Sequence, residues 1–464
     1  MYDLATIAEI VGGELYWGGK TQGQGQPAGV SIDSRRLRPG DVFFAIRGEA
    51  RDGHQFVPHA LERGAVGAVV SRDWPEKPAP DVGGGLIRVA DPLRALQTLA
   101  AHYRRSLDIR VAAVTGSNGK TTTKEMAARV LATRYRTAKT EGNLNNHLGV
   151  PLTLLALPRE AEVAVIEMGM NHLGEIRRLA EMSDPEIGLV TNIGEGHLEF
   201  LGSMDNVLCA KGELLEYLKP EHVAILNADD PYLGAGRLSI RARTLTFGVD
   251  GPADVRATDV TPVSGEGARF SLGGRTVQLG VPGREFVYDA LAAVAVGVAL
   301  GVPEADACEA LAGFRPYRMR MEVLRLGPVT VIDDTYNANP ASVRAALETL
   351  GSMEVEGRRI AVLGDMLELG ADAGRLHRDV GRWVARTGVD ALFTLGPLAA
   401  EIRAGAVSAG LPGDRAVRAE DREELGRVLS DAVGPGDVVL VKGSRRCRME
   451  TVVEALRTHL EERG

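Results

Sequence analysis

The sequence predicts an α/β protein of three domains, with a parallel sheet flanked by helices at its centre. Three observations predict this. The chain has 464 residues, which is too long for a single hydrophobic core. Strand and helix patterns alternate from residue 109 and again after residue 313. The stretch VAAVTGSNGKTTTKEM (111–126) reads as a buried strand, a glycine turn and a helix. We therefore expect a small α/β domain at 1–108, a central domain at 109–313 and a Rossmann-like α/β domain at 314–464.

The composition is that of an ordinary globular protein, with 44% hydrophobic and 25% charged residues. A net charge of -8 without a basic tail argues against a nucleic-acid coat protein. The three cysteines, Cys209, Cys308 and Cys447, contain no C-x-x-C spacing and predict neither a disulfide framework nor a zinc site. The start has no basic leader, and the most apolar run (290–302) is too short to span a bilayer. We expect a cytoplasmic monomer.

The predicted elements follow the chain in this order. The first domain has strands in GVSIDS and GDVFFAI and ends with a helix at about 92–105. The central domain has the strand IRVAAVTG, a helix from Lys120 to about Thr133, and strands in EVAVIEMG and EIGLVTNIG. A helix at 203–218, strands HVAILNADD and TLTFGV, a small β section (252–281) and an apolar helix (288–300) follow. The last domain has strands in PVTVIDD, RRIAVLGDM, DALFTLG and DVVLVKGS.

The glycine turn after the first central strand departs from the usual phosphate loop. G-x-x-x-x-G-K-[ST] would require a glycine at Val114, whereas the glycine is at Gly116. Amides at a helix N-terminus still favour phosphate binding. The expected phosphate contacts are Gly116, Ser117, Asn118, Gly119, Lys120, Thr121 and Thr122, with the Thr121 hydroxyl on magnesium. The alternative is a simple turn between a strand and a helix.

Other candidate metal ligands follow neighbouring strands. Glu167 ends EVAVIEMG, and His197 follows EIGLVTNIG. Both are expected near the loop, because carboxyl ends of parallel strands meet at one edge of a sheet. A surface loop histidine is the alternative for His197. Lys211 lies in a leucine-rich helix, where spacing alone predicts only an exposed lysine.

Polar clusters mark the other two domains. Asp333 and Asp334 end a strand in DDTYNANP and are plausible ribose or metal contacts, whereas Asn339 suits a helix cap. The arginine-rich run RPYRMRMEV (315–323) suits a phosphoryl group at a domain boundary, or is an exposed linker. Near the N-terminus, Ser34, Arg35, Arg36 and Arg47 form a candidate diphosphate patch, for which solvated surface is the alternative.

Together these stretches resemble the Mur ligase family, the ATP-dependent amide-forming enzymes that build the cell-wall peptide. In that family the loop reads T-G-x-x-G-K-T-T, so the glycine at 116 is the family's form. Further stretches occur in the family's order over essentially the whole chain: DSRRLRPGDVFFAIRGEARDGH, TEGNLNNHLGVPLTLL, NIGEGHLEFLGS, AKGELL, DDTYNANPAS, LGDMLELG and VKGSRRCRME. Within the family, GNLNNHLGVP, DDTYNANP and VKGSR are most similar to members that add D-alanyl-D-alanine.

The resemblance implies roles for the candidate residues. Lys120 and the loop amides would hold ATP, and Thr121, Glu167 and His197 would bind Mg²⁺. Lys211 matches a lysine that reacts with CO₂, whose carbamate would bind a second Mg²⁺. Asp334 would contact the ribose, and Arg320 would reach the phosphates from the C-terminal domain.

The resemblance also implies substrate contacts. Ser34, Arg35 and Arg47 match the uridine-diphosphate side, and Asn143, Asn145 and Asn146 the muramoyl-peptide side. Lys442, Ser444 and Arg445 would meet the incoming dipeptide, and Asn337 is a further expected substrate contact. One departure concerns adenine. Family members often have His-Asn-x-x-Asn where this chain has Glu285, Phe286 and Asp289. An Asp289 carboxylate would accept a hydrogen bond from adenine but not donate one as an amide does.

The implied reaction is the joining of D-alanyl-D-alanine to UDP-N-acetylmuramoyl-tripeptide through an acyl phosphate formed from ATP. Three alternatives remain. One is a family member that adds a single amino acid, or glutamate to folate. The second is a P-loop kinase or GTPase, which needs neither Lys211 nor DDTYNANP. The third is a non-catalytic nucleotide-binding partner, which would have lost Lys120, Glu167 or His197. The third residue of the acceptor peptide is not predicted.

Overall fold

The structure, a computed structural model, describes residues 2–17, 26–48, 51–75, 84–234, 236–263 and 267–463. The chain divides into two compact units. The first comprises Met1–Ala113, Tyr135–Gly169 and Glu175–Glu186, and the second Val114–Arg134, Met170–Gly174 and Ile187–Gly464. Within the described ranges, no helix has the length and apolar character that crossing a bilayer requires.

The N-terminal part is a small α/β layer. Its elements are α1 (Leu4–Val11), β1 (Glu14–Trp17), β2 (Val30–Ser31), β3 (Val42–Phe44), α2 (Val57–Glu62), β4 (Gly67–Ser71), β5 (Gly85–Val89) and α3 (Pro92–Arg105). The sheet order is β1-β5-β4-β3-β2, with β1 antiparallel to β5 and the remaining pairs parallel. The predicted helix at 92–105 is confirmed. Asp91 caps it by accepting from the Leu93 amide, and Pro92 occupies its first turn.

The middle of the chain contains a mainly parallel sheet with helices. Its elements are β6 (Arg110–Thr115), α4 (Lys120–Leu131), β7 (Thr137–Lys139), α5 (Gly149–Leu155), β8 (Val163–Glu167), α6 (Glu175–Ser183), β9 (Ile187–Val190), α7 (Leu198–Leu201), α8 (Met204–Tyr217), β10 (Val223–Asn227), β11 (Arg243–Gly248) and β12 (Val255–Arg256). The strand order is β12-β11-β10-β9-β6-β8-β7. Helix α4 ends two residues before the predicted Thr133.

The predicted small β section is also present. Strands β13 (Thr258–Val263), β14 (Gly267–Leu272) and β15 (Arg275–Leu279) form an antiparallel sheet, while residues 264–266 lie outside the described ranges. Helix α9 (Arg284–Ala299) and α10 (Glu304–Leu311) follow. Helix α9 begins four residues before the predicted residue 288. Its polar first turn, which follows Gly283 at a φ of 119°, does not show in the apolar pattern.

The last part is a Rossmann-like α/β layer. Its elements are β16 (Glu322–Leu326), β17 (Val329–Asp334), α11 (Pro340–Ser352), β18 (Arg359–Gly364), α12 (Ala373–Arg386), β19 (Ala391–Leu395), α13 (Ala399–Ser408), β20 (Ala416–Ala419), α14 (Arg422–Ala432), β21 (Val438–Lys442) and α15 (Glu450–Arg463). The order is β16-β17-β21-β18-β19-β20, with only the β16–β17 pair antiparallel. The register places Asp334 beside Lys442.

The mixed α/β fold with several parallel sheets confirms the predicted fold class. The sequence pattern missed four edge strands, β1, β7, β16 and β20, which are short or half-exposed. The domain boundaries at 108 and 313 stay a prediction.

Candidate active site

The phosphate-type loop connects the buried end of β6 to α4. Gly119 caps the helix in a left-handed conformation, with a φ of 80°. A Cβ atom at Gly119 would overlap the Asp289 carboxyl, and one at Gly116 would overlap the Thr191 side chain. Both positions therefore require glycine for backbone angle and for space.

The loop is held from one side by the segment after β9. The Ser117 amide donates to the Asn192 carbonyl over 3.0 Å, and the Asn118 amide donates to the Asn192 side chain over 2.9 Å. The Ser117 hydroxyl accepts from the Gly194 amide over 2.8 Å. These bonds hold the backbone of the turn in one conformation and engage the Ser117 and Asn118 amides, so in this conformation the expected phosphate contacts of these two residues do not come from their amides.

Two lysines point at the same loop atom. The Gly116 carbonyl accepts from Lys120 Nζ over 2.7 Å and from Lys211 Nζ over 2.9 Å. Lys211, on α8, is only 1% exposed. Burial, and next the charge of Lys120, lower the pKa of Lys211 well below its usual range. The sequence alternative of an exposed helix lysine is therefore wrong.

Two residues that follow residue 313 also contact the loop. Arg320 Nη2 donates to the Thr121 hydroxyl over 3.0 Å, and Asn339 Nδ2 donates to Asn118 Oδ1 over 2.8 Å. Asn339 caps α11 as well, since its Oδ1 accepts from the Ser342 amide. Arg315 and Arg318 are exposed, so the linker interpretation of the arginine-rich run holds for these two.

Asp289, on α9, is buried beneath the loop. Its Oδ1 accepts from the Thr123 hydroxyl over 3.0 Å. Burial raises the pKa of Asp289 well above its usual value, with a smaller contribution from Glu285. Burial likewise raises the pKa of Glu285, to about 7. Burial favours the neutral form of the Asp289 carboxyl. A neutral carboxyl can donate one hydrogen bond and accept another, as an amide does, whereas the carboxylate expected from the sequence can only accept.

His197 is paired with a carboxylate that the sequence reasoning did not select. Its Nδ1 lies 2.9 Å from Glu368 Oε2. Both residues have left-handed backbones, with φ of 58° and 63°, and the Glu199 amide donates to the Glu368 carbonyl. Burial lowers the pKa of His197, although the neighbouring Glu368 carboxylate acts in the opposite direction. The lowered pKa favours the neutral imidazole, which is the form that binds metals.

Lys442 and Ser444 hold neighbouring loops. Lys442 Nζ donates to Asp334 Oδ2 over 2.5 Å and to the Asn337 carbonyl over 2.9 Å. The Ser444 hydroxyl accepts from the Leu367 amide over 2.8 Å. Asp333 instead accepts from Thr335 and is buried. Arg445 is half-exposed and pairs with Glu450 over 3.1 Å.

In the first compact unit, Glu167 is tied to the asparagine-rich segment. Asn145 Nδ2 donates to Glu167 Oε1 over 2.8 Å, and the Glu167 amide donates to the Thr140 hydroxyl. Asn146 Oδ1 accepts from the Gly149 amide at the start of α5. Asn143 takes part through its carbonyl, which accepts from the Asn145 amide. Asn145 thus orients the carboxylate expected to bind metal.

The N-terminal candidates have local partners in the same unit. Ser34 Oγ lies 3.0 Å from Nδ1 of His59. Arg35 pairs with Asp33 over 2.8 Å, and Arg47 pairs with Asp73 over 3.1 Å and Asp52 over 3.2 Å. Arg35 and Arg47 remain exposed enough to meet a ligand, with acidic neighbours that fix their direction.

The side chains around the loop suit a nucleotide that binds together with Mg²⁺. Among the residues described, no three His, Cys, Asp or Glu side chains converge to hold an ion unaided. Mg²⁺ is usually bound by few protein side chains together with substrate phosphates. A glycine turn that a Cβ would fill, followed by Lys120 and the Thr121 hydroxyl, suits that arrangement.

Three family models match the chain. They are described as the Mur ligase family catalytic domain (residues 27–104), the Mur ligase middle domain (114–297) and the Mur ligase glutamate ligase domain (319–445). Together they cover more than half of the 464 residues.

Relatives match along most of their length. The chain is 38% identical to the UDP-N-acetylmuramoyl-tripeptide–D-alanyl-D-alanine ligase of Bacillus subtilis (strain 168), over 92% of this chain and 93% of that one. A crystal structure of MurF from Acinetobacter baumannii is 32% identical with a TM-score of 0.88, covering 98% and 99% of the two chains. MurF ligase from Thermotoga maritima in complex with ADP is 30% identical with a TM-score of 0.82, covering 94% and 98%. The chain belongs to the Mur ligase family.

Proposed function

We propose that this chain is an ATP-dependent, ADP-forming ligase that joins D-alanyl-D-alanine to UDP-N-acetylmuramoyl-tripeptide. This is the last cytoplasmic peptide-addition step of peptidoglycan precursor synthesis. The observation that carries the proposal is the convergence of Lys120, Lys211 and Arg320 on the loop between Gly116 and Thr121. The names of the Bacillus subtilis relative and of the ADP complex support the substrates.

Lys120 and Arg320 supply positive charge where a phosphoryl group would be transferred. Amide formation from a carboxylate is uphill in water, so the acid must first be activated. The γ-phosphoryl group moves from ATP to the terminal carboxylate of the tripeptide, giving an acyl phosphate and ADP. The loop amides, Lys120 and Arg320 stabilise the charge that develops on the transferring oxygens.

The second half of the reaction forms the amide bond. The free amine of D-alanyl-D-alanine attacks the acyl carbon, and phosphate leaves from the tetrahedral intermediate. Asn337, Lys442, Ser444 and Arg445 are the residues we propose on the dipeptide side. Of these, half-exposed Arg445 is the one suited to a direct contact with the dipeptide carboxylate, whereas Lys442 and Ser444 hold the surrounding backbone.

Thr121 and His197 would hold magnesium, and the resemblance to the family implies Glu167 as a further ligand. When bound, two such ions would neutralise phosphate charge and polarise the phosphoryl oxygens. Glu368 and Asn145 orient His197 and Glu167, respectively.

Lys211 has the properties of a lysine that forms a carbamate. Carbamylation requires a neutral amine, and burial beside Lys120 favours that form. Its Nζ would attack CO₂ and lose a proton, and the resulting carbamate would offer a carboxylate-like group to a second Mg²⁺. The carbamate would also place a negative charge beside the Lys120 ammonium, with which it would attract rather than repel.

Uridine-diphosphate recognition is assigned to the N-terminal domain. Ser34, Arg35 and Arg47 would contact the diphosphate, and Asn143, Asn145 and Asn146 the muramoyl-peptide. Asp289 is the residue we propose on the adenine side, where its raised pKa favours the carboxyl form that can donate a hydrogen bond as well as accept one.

The test is phosphate release from ATP in the presence of UDP-N-acetylmuramoyl-tripeptide, with and without D-alanyl-D-alanine. We expect release that requires the dipeptide, with formation of the pentapeptide product. A Lys120→Ala variant should be inactive and sets the background. Release without the dipeptide would mean hydrolysis of ATP or of the acyl phosphate and would count against the ligase, and equal release with single amino acids would indicate another ligase of the family.

A further inference from the structure

Arg320 lies in a turn whose backbone conformation is unfavourable for residues other than glycine. The residues on both sides have left-handed conformations, Met319 with a φ of 64° and Met321 with a φ of 52°. Residues with a Cβ rarely occupy this region, and neither position is glycine. Such strain persists only where surrounding contacts hold it, and it is frequent at functional sites.

Three hydrogen bonds hold the turn. The Met319 amide donates to Glu322 Oε2 over 3.2 Å, and the Met321 amide donates to Asp334 Oδ1 over 3.3 Å. The Tyr336 amide donates to the Met319 carbonyl over 3.1 Å. Two of these three bonds come from the 334–336 segment, so this segment fixes the backbone on either side of Arg320.

The ring of Tyr336 completes the support. The guanidinium carbon of Arg320 lies 4.0 Å from the ring centroid. An aromatic face attracts a guanidinium but leaves the N–H groups at its edge available. One of them donates to Thr121, and Arg320 Nε is buried without a hydrogen-bond partner within the described residues. The stack therefore fixes the plane of the group while leaving donor capacity.

We infer that Tyr336 is a positioning residue that holds the Arg320 guanidinium against the phosphate loop. The inference rests on the proposed function, in which Arg320 stabilises the transferring phosphoryl group. Tyr336 acts through its aromatic face, so phenylalanine replaces it and an aliphatic residue does not. Its effect passes entirely through Arg320.

The test is a double-mutant cycle with Tyr336→Leu, Tyr336→Phe and Arg320→Ala. Relative to wild type, Tyr336→Leu should lower kcat about tenfold and leave the KM for D-alanyl-D-alanine unchanged, because one desolvated cation–π contact is lost. Tyr336→Phe should retain kcat within about twofold, since the aromatic face is kept. In the Arg320→Ala background, Tyr336→Leu should cause no further loss. Urea unfolding of wild type, Tyr336→Leu, Arg320→Ala and the double variant should show coupling between the two positions.

Two results would overturn the inference. One is an equal effect of Tyr336→Leu with and without Arg320, in both kcat and unfolding. The other is full activity of Arg320→Lys, which leaves Tyr336 in place but lacks the planar group that stacks. An inactive wild type would count against the proposed ligase instead, while the unfolding cycle would still decide the role of Tyr336.

Discussion

Lys120 and Lys211 donate hydrogen bonds to one oxygen atom, the carbonyl of Gly116. Two ammonium groups this close repel each other, and the buried one gives up its charge more readily. Lys211 is that residue, since it is the more buried lysine and its pKa is lowered. Under the proposed function, this pair would account for an unprotonated helix lysine able to react with CO₂.

Replacing Lys211 tests the carbamate. Lys211→Ala should lower kcat by about 100-fold or more, because a metal ligand is lost from a site of developing charge. Acetate or formate should restore part of the rate, since either supplies a carboxylate in the space left. The matched control is Lys219→Ala, at an exposed lysine just beyond α8. Unchanged activity in Lys211→Ala would rule the carbamate out.

Replacing Gly119 tests whether the space between the loop and Asp289 is too small for a side chain. Gly119→Ala should lower kcat/KM for ATP about 100-fold, because the new methyl group overlaps Asp289 and displaces the loop. Gly301 is a matched control, since its φ is 82° and a Cβ there meets nothing within 4 Å. Gly301→Ala should cost about 1–2 kcal/mol of stability from backbone strain alone. Steady-state kinetics and urea unfolding separate the two, and equal kinetics would contradict the steric argument.

Replacing Asp289 tests how a buried carboxyl changes the stability of the folded protein with pH. Its pKa is raised above the reference value of 3.8, so the folded protein holds a proton that the unfolded chain releases. Its contribution to stability is complete below pH 3.8 and falls as pH rises towards the folded pKa. The amide of Asp289→Asn does not titrate. The gain in Tm of Asp289→Asn over wild type should therefore grow with pH across this window. A difference that is independent of pH would refute the neutral carboxyl.

Replacing Glu368 tests whether this carboxylate orients His197 for metal binding. Glu368→Ala should raise the Mg²⁺ concentration for half-maximal activity about 10–100-fold, as is usual when the partner of a ligating histidine is removed. Direct titration with Mn²⁺ should show the same loss of affinity. Glu354→Ala, at an exposed glutamate, is the control. If metal affinity is unchanged while kcat falls, Glu368 has another role.

The sequence predicts best what depends on neighbouring residues. The glycines at 116 and 119 identify the loop because backbone geometry there is local. The helix 92–105 follows from the adjacent Asp91 and Pro92, which cap it. The Mur ligase family, the fold class and the ATP-dependent ligase class could likewise be inferred from short motifs.

The remaining features depend on residues far apart in the chain. Lys211 donates to a carbonyl 95 positions away, and helix spacing does not reveal that contact. Thr123 and Asp289 are separated by 166 positions, so their hydrogen bond was not expected. Lys442 donates a hydrogen bond to Asp334 because β17 and β21 are neighbouring strands. The order of strands in a sheet cannot be inferred from the sequence of either strand alone. The substrate roles of Lys442 and of the other site residues stay predictions.

The contacts of the loop with residues after 313 have a consequence for synthesis of the protein. Thr121 and Arg320 are 199 positions apart, and Asn118 and Asn339 are 221 apart. Because a ribosome releases the N-terminal end first, the loop emerges long before either partner exists. A nascent chain that stops short of Arg320 has the loop without the arginine that we assign to phosphoryl transfer. Unfinished chains should therefore not consume ATP, and competence should appear only after these late long-range contacts form.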